Sequence, residues 1–317
     1  MIERRTVLIV GAGASKPYGF PTGTELKNEI LGINMRRTIE IANLKKHDAN
    51  YSPIWRYIFD TCGERTVESF LSSLSRSGRN SVDAFIERRP EFTDIGKLLI
   101  SYQLIQYENE ELLYRDGGNW YQYLYDKLDA SFEDFPKNNL SIITYNYDRS
   151  LEHYLLMCLK NDYGVSEKTA ADALRSLNII HLHGTLGELP AFSKTNSRKY
   201  EPRITQESLR VSSMNIKIIH EDIVDDQQFK KAKELILEAE IIWFLGFGYG
   251  RINMERLELP LILKKSQRVF GTTYTLKPGE IKTIRGLLGG YLKEQTTDMG
   301  GTLDTLNYLR NYAHYLK

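Results

Sequence analysis

Cysteine is nearly absent from this chain: Cys62 and Cys158 are the only two in 317 residues. That is too few for a disulfide framework and too few for any four-thiolate zinc site. Long apolar runs are missing as well, and none approaches the roughly 18 residues needed to cross a bilayer. Nor is there an excess of one charge. With 42 basic and 41 acidic residues the net charge is +1, so no global field draws the protein toward nucleic acid or anionic lipid. The apolar run at Thr6 to Val10 passes straight into glycine and lacks the cleavage region of a signal peptide. A cytoplasmic protein with neither membrane nor direct nucleic-acid partners is therefore expected. Internal repeats and low-complexity tracts are lacking too.

What the sequence does contain is a series of short, unbroken apolar runs. Thr6 to Val10, Leu140 to Thr144, Asn178 to His183 and Ile241 to Leu245 suit parallel strands buried on both faces. Arg268 to Gly271 is a weaker fifth. Each ends in polar or glycine-rich sequence, as strands do at the ligand-binding edge of a doubly wound sheet. Helical spacing appears between them, over Arg149 to Lys160 and Phe229 to Ala239. This alternation predicts an α/β fold, a Rossmann-like doubly wound parallel sheet. The stretch from 27 to 137 interrupts the pattern: it is rich in Tyr and Arg and reads as amphipathic helix, notably over Tyr102 to Tyr114 and Trp120 to Leu128. We read it as a helical insertion within one domain of residues 1–285, followed by a helical tail over 286–317 whose last helix covers Thr302 to Tyr315. Ser193 to Ser213 reads as a surface loop or lid.

Chemistry-bearing residues cluster where these strands end. Gly11-Ala12-Gly13-Ala14-Ser15 directly follows the first strand, the setting in which small residues let backbone N–H groups approach a pyrophosphate. Lys16 stands where the dehydrogenase fingerprint has its third glycine, and no Lys-Ser/Thr pair closes a triphosphate loop. A tight turn without a ligand is the plain alternative. The segment around Pro21 and Thr22, ahead of a helix starting near Thr24, either folds over a dinucleotide or is an ordinary helix entry. Asn146 and Asp148, in Thr144-Tyr145-Asn146-Tyr147-Asp148, sit two residues apart and project to one side of an extended backbone. His183 ends the next strand. An amide, a carboxylate and an imidazole brought together suit glycosidic bond cleavage, with the imidazole as general base; singly, each is an ordinary cap or core residue. His181 lacks the further ligands a metal would need and reads as structural. Glu221, Asp222, Asp225 and Asp226, beside His220, read as a solvated face.

Taken in order, Gly11 to Ser15, Thr144 to Asp148, His183-Gly184-Thr185 and Gly246-Phe247-Gly248-Tyr249 resemble the signature blocks of the sirtuin fold. The resemblance implies that Gly11, Ala12, Gly13, Ala14 and Ser15 hold the pyrophosphate of NAD⁺ and that Asn146 and Asp148 face its nicotinamide ribose. It makes His183 the catalytic base, and it places Gly246, Phe247, Gly248, Tyr249 and Asn253 under the adenosine half. Departures accompany the matches. The four-cysteine zinc ribbon of the deacetylases is missing, Tyr145 replaces a glutamine, and the loop after Gly19 lacks an aspartate-phenylalanine-arginine run. The chain is thus more similar to the zinc-free sirtuin-like effectors of bacterial anti-phage systems. That similarity implies an NAD⁺ glycohydrolase that depletes the nucleotide, needs no zinc, forms a homo-oligomer and is triggered by a partner ATPase, an Argonaute or a phage-derived activator. A non-catalytic NAD⁺ or ADP-ribose sensor and a protein ADP-ribosyltransferase remain as alternatives.

Overall fold

The computed structural model describes residues 1–115, 119–218, 226–289, 297–299 and 303–316. Five strands, β1 (Thr6–Val10), β2 (Leu140–Thr144), β3 (Asn178–His181), β4 (Ile241–Leu245) and β5 (Arg268–Gly271), form a parallel sheet, and a short sixth, β6 (Thr297–Met299), extends its edge. The spatial order is β3-β2-β1-β4-β5-β6, the order of the dinucleotide-binding doubly wound fold, with its switch point between β1 and β4. Every residue of β1 and β4 is buried, which is why both strands read as continuous apolar runs rather than as alternating ones.

Side-chain alternation along these strands separates two cores. Leu8, Val10, Trp243 and Leu245 pack on one face, and Val7, Ile9, Ile242 and Phe244 on the other. The first face receives the insertion between β1 and β2. Its helices are α1 (Gly23–Leu31), α2 (Met35–Asn43), α3 (Pro53–Cys62), α4 (Glu64–Arg76), α5 (Val82–Ile86), α6 (Thr93–Ile105), α7 (Glu110–Leu113) and α8 (Trp120–Lys127). Onto the same face pack α9 (Ser150–Asp162), α10 (Glu167–Leu174), α11 (Gln206–Asn215) and, from the far end of the chain, α15 (Thr305–Asn311). The opposite face is covered by α12 (Gln227–Glu238), α13 (Arg251–Arg256) and α14 (Pro278–Gly289).

Three sequence expectations change. The expected strand Asn178–His183 stops at His181, because the backbone then turns through Gly184 at φ +72° and the carbonyl of His183 accepts from Lys217 N at 2.8 Å, outside the sheet. The expected helix Tyr102–Tyr114 is broken after Ile105 by a turn that drives Glu108 inward. Ser193–Ser213 is no surface loop: Arg198 and Tyr200 are buried, and a capping box between Thr205 and Ser208 starts α11, which packs on α6. The 286–317 segment supplies β6 as well as α15, although Thr302 lies outside the described residues. So do His220, Glu221, Asp222 and Asp225 of the acidic stretch, whereas Asp226 caps α12.

Arg198 is inside because a buried ion cluster holds it there. Glu108 accepts from Arg149 Nε at 2.9 Å and Nη2 at 2.8 Å, and from Arg198 Nη2 at 2.6 Å. The remaining Arg149 donors reach the carbonyls of Gly187, Glu188, Arg198 and Lys199. Those of Arg198 reach Leu186, Lys199 and Ser212. The cluster ties the insertion, the start of α9 and the segment after His183 into one unit. Removing one partner of such a buried pair leaves an uncompensated charge. Glu108→Gln should therefore lower unfolding free energy by about 3–5 kcal/mol in chemical denaturation; a loss under about 1 kcal/mol would show the guanidiniums to be held by the carbonyls alone.

Candidate active site

Two glycine loops meet at the switch point. Gly11 N donates to Leu245 O at 3.0 Å, Gly13 N to Gly246 O at 3.0 Å, and Ala14 N to Gly11 O at 2.9 Å. The backbones approach so closely that a Cβ on Gly11 would lie 2.7 Å from Gly246 O, and one on Gly246, at φ +56°, 2.0 Å from Ala14 N. Glycine is required there by the crossing of the two loops. Three N–H groups of the first loop thus already have protein acceptors. The chain continues as a 3-10 turn, Ala12–Tyr18, braced from the insertion by Trp120 Nε1, which donates to Ala14 O at 2.8 Å.

Beside this crossing the structure brings Ser15, Asn146 and Asp148 together. Asn146 Nδ2 donates to Ser15 Oγ at 2.9 Å and Gly11 O at 3.2 Å, and Ser15 Oγ donates to Asp148 Oδ2 at 2.8 Å. On its other oxygen Asp148 accepts from the Ser150 hydroxyl, which in turn takes a hydrogen bond from Tyr121 OH at 2.7 Å. Thr144 Oγ1 accepts from Asn146 N at 3.0 Å. Burial pushes the Asp148 carboxyl above its ordinary range, and the Ser150 and Ser15 hydroxyls oppose that rise. Because this directional chain fixes the amide with its nitrogen toward Ser15, Asn146 Oδ1 is left as a buried acceptor with no partner among the described residues.

His183 lies on the other side of the same segment. Its ring meets Tyr145 edge-on at 5.2 Å between centroids and Tyr147 at 6.0 Å. Among the described residues no hydrogen bond joins it to Asn146 or Asp148, and its Nε2 is a second buried orphan. Burial lowers the imidazole to about 4; Asp83 works against that drop and Arg256 adds to it. The ring is neutral at pH 7, with Nε2 unpartnered among the described residues.

His181 meets the opposite environment. Burial alone would lower it, but Glu152 pairs with its Nε2, Nδ1 donates to Asn146 O at 2.9 Å, and the balance raises it to about 9. It is a charged brace under the Asn146 backbone.

Tyr145 OH donates to Asn253 O at 2.8 Å, and its ring packs on Phe247 at 5.3 Å. Tyr249, at φ +50°, donates to Thr272 O at 3.1 Å. Gly248 has open space around it. Thr22 is the N-cap of α1, in a capping box with Glu25, and follows Pro21. What sequence reasoning missed is the support from the insertion: Trp120, Tyr121, Asp83 and Glu108. Its one signal was the tyrosine richness of that stretch. Among the described residues no cluster of three or more His, Cys, Asp or Glu side chains is arranged to hold a metal ion, and no helix is long and apolar enough to cross a membrane.

These features define a doubly wound, Rossmann-like α/β protein whose switch point carries an Asn-Ser-Asp hydrogen-bond chain and a neutral buried histidine. The chain matches no protein-family model and no curated protein.

The two histidines set a pH signature. Below its unfolded value near 6.5, His183 is protonated in the unfolded chain but stays neutral in the folded one down to about 4. Stability therefore falls as pH drops through that window. His181 holds its proton in the folded state up to about 9, so its contribution is full below 6.5 and is lost as pH rises toward 9. Each slope is on the order of 1.4 kcal/mol per pH unit. Denaturation midpoints across pH 4–9 should show His183→Gln flattening the acid side only and His181→Gln the alkaline side only; parallel curves for both variants would contradict the assignment.

Proposed function

We propose that this chain hydrolyses NAD⁺ at the nicotinamide–ribose bond. The observation that carries the reading is the pair of buried orphan atoms, Asn146 Oδ1 and His183 Nε2, beside Thr144, Ser15 and Asp148, whose side-chain oxygens all have partners. Such atoms suit a ligand hydroxyl, a carboxamide or a water. Support comes also from the sheet order, which puts the Gly11–Ser15 loop and the Gly246–Tyr249 loop at the edge where doubly wound folds take dinucleotides.

In this reading NAD⁺ crosses the carboxyl ends of β1 and β4, with Gly11 to Ser15 under the pyrophosphate and Pro21 and Thr22 above it. Gly246 to Tyr249 and Asn253 lie at the adenosine side. Asn146 Oδ1 accepts from the nicotinamide ribose or from the attacking water. As the C–N bond breaks, its electron pair returns to the pyridine ring, and positive charge builds on the ribose near the Asp148 side. Water adds to the anomeric carbon and gives its proton to His183, a transfer worth about 10²–10⁴-fold. Tyr145 and Tyr147 pack against the imidazole and Phe247 packs on Tyr145, an aromatic surround that keeps the proposed base neutral. Homo-oligomerisation, or a partner ATPase, Argonaute or phage-derived protein acting on the insertion, would gate the activity in a cell.

Purified protein incubated with NAD⁺ should release nicotinamide and ADP-ribose, resolved by chromatography. Asn146→Ala and His183→Ala should each reduce release by about 10²-fold or more. Bound NAD⁺ with no product, in the presence or absence of a trigger, would make the protein a sensor, and label appearing on protein would make it a transferase. Full turnover in His183→Ala would remove that residue from the mechanism.

A further inference from the structure

The insertion does more than cover the sheet: it sends a carboxylate toward the histidine. Asp83, on α5, accepts a hydrogen bond from Tyr147 OH, and the Tyr147 ring lies against His183. From the opposite face α13 sends Arg256, which pairs with Glu87 just beyond α5 at 2.9 Å. Tyr145, from the β2 end, completes the wall. The charged and titratable groups facing the imidazole are thus Asp83, Arg256 with its partner Glu87, and the two tyrosines. Asp83 on one side and the Arg256–Glu87 pair on the other act on a ring removed from water, where charges are poorly screened.

We propose that Asp83 and Arg256 are opposed positioning residues for His183: Asp83 fixes Tyr147 against the imidazole and stabilises the imidazolium formed when Nε2 takes a proton, while Arg256 limits that gain. The inference that the proton comes from water rests on the hydrolase reading above; the electrostatic role does not. In the step itself the water O–H bond breaks, the proton goes to Nε2 and hydroxyl oxygen joins the anomeric carbon. Asp83 keeps its hydrogen bond from Tyr147 and exchanges no proton in the step. The helical insertion, by this account, is part of the active site, and a movement of α5 would change the basicity of His183 as well as access to it.

The test is the titration of His183, followed by NMR of ring-labelled histidine in the full-length protein and assigned by its loss in His183→Gln. Asp83→Asn keeps the shape and removes the charge, so the His183 midpoint should fall by roughly 0.5–1 unit, about 3–10-fold in proton affinity. Arg256→Gln should raise it by a similar amount. A side chain acting only through packing would not shift the two variants in opposite directions. Midpoints that stay within about 0.2 units of wild type, or that move together, would overturn the proposal. Should Asp83→Asn fail to fold, Arg256→Gln alone decides: an unmoved or lowered midpoint rejects the idea. The acid limb of kcat/KM for NAD⁺ should shift with the midpoint. If no NAD⁺ is cleaved while the midpoints move as stated, the hydrolase reading fails and the positioning assignment stands.

Discussion

Glu108 lies wholly out of water between the guanidiniums of Arg149 and Arg198, and the placement of the site follows from that arrangement. Arg149 directly follows Asp148 in the chain, so whatever holds Arg149 also holds the end of the Asn146–Asp148 segment. Its donors pin the carbonyls of residues 187, 188, 198 and 199, which fixes the loop that leaves His183. Two cations against one carboxylate would be costly in a dry interior, but the surplus donors are met by backbone oxygens, the condition under which buried charge is tolerated. The cluster orders two segments of the candidate site and the insertion with a single set of hydrogen bonds.

The crossing of Gly11–Gly13 with Gly246 is the second constraint. In a doubly wound sheet the loops after β1 and β4 diverge to opposite faces, and the crevice between them is where a ligand lies. Here the backbones touch, with amide-to-carbonyl bonds of 3.0 Å from Gly11 and Gly13. The glycines serve that contact first. The side-chain chemistry of the loop is then carried by the buried Ser15, whose hydroxyl links Asn146 to Asp148. A sequence motif of small residues specifies a close approach of backbone, and only the structure says to what.

Fold class was legible because the strands announce themselves. Runs such as Ile241 to Leu245, buried on both faces, have no competing helical reading at that length, and the observed sheet is parallel, with helices on both sides. Asn146 and Asp148 were legible as a pair through the two-residue period of an extended segment, and both do turn to Ser15. Less visible was anything that depends on long-range pairing. Glu108 sits in what reads as the middle of a helix, and nothing local marks it as the partner of Arg149 and Arg198, 41 and 90 residues away. Arg198 and Tyr200 lie in a polar stretch whose composition suggests a loop, yet ion pairing and the Thr205 cap fold it inward. The same limit hid Asp83 and Tyr121, supplied by an insertion whose helices are recognisable singly but whose docking is not.

His181 and His183 show how far position can outweigh residue type. Two residues apart on a continuous strand, they would face the same way and share an environment. The strand instead ends at His181, and the chain turns at position 184, which must be glycine because any other residue's Cβ would fall 1.9 Å from Asn215 O. That turn sends the rings to different neighbours. His181 meets Glu152 and becomes a fixed cation under Asn146, whereas His183 meets aromatic rings and stays neutral. One glycine after a short strand thus separates a charged imidazole that braces backbone from a neutral one whose Nε2 has no partner among the described residues.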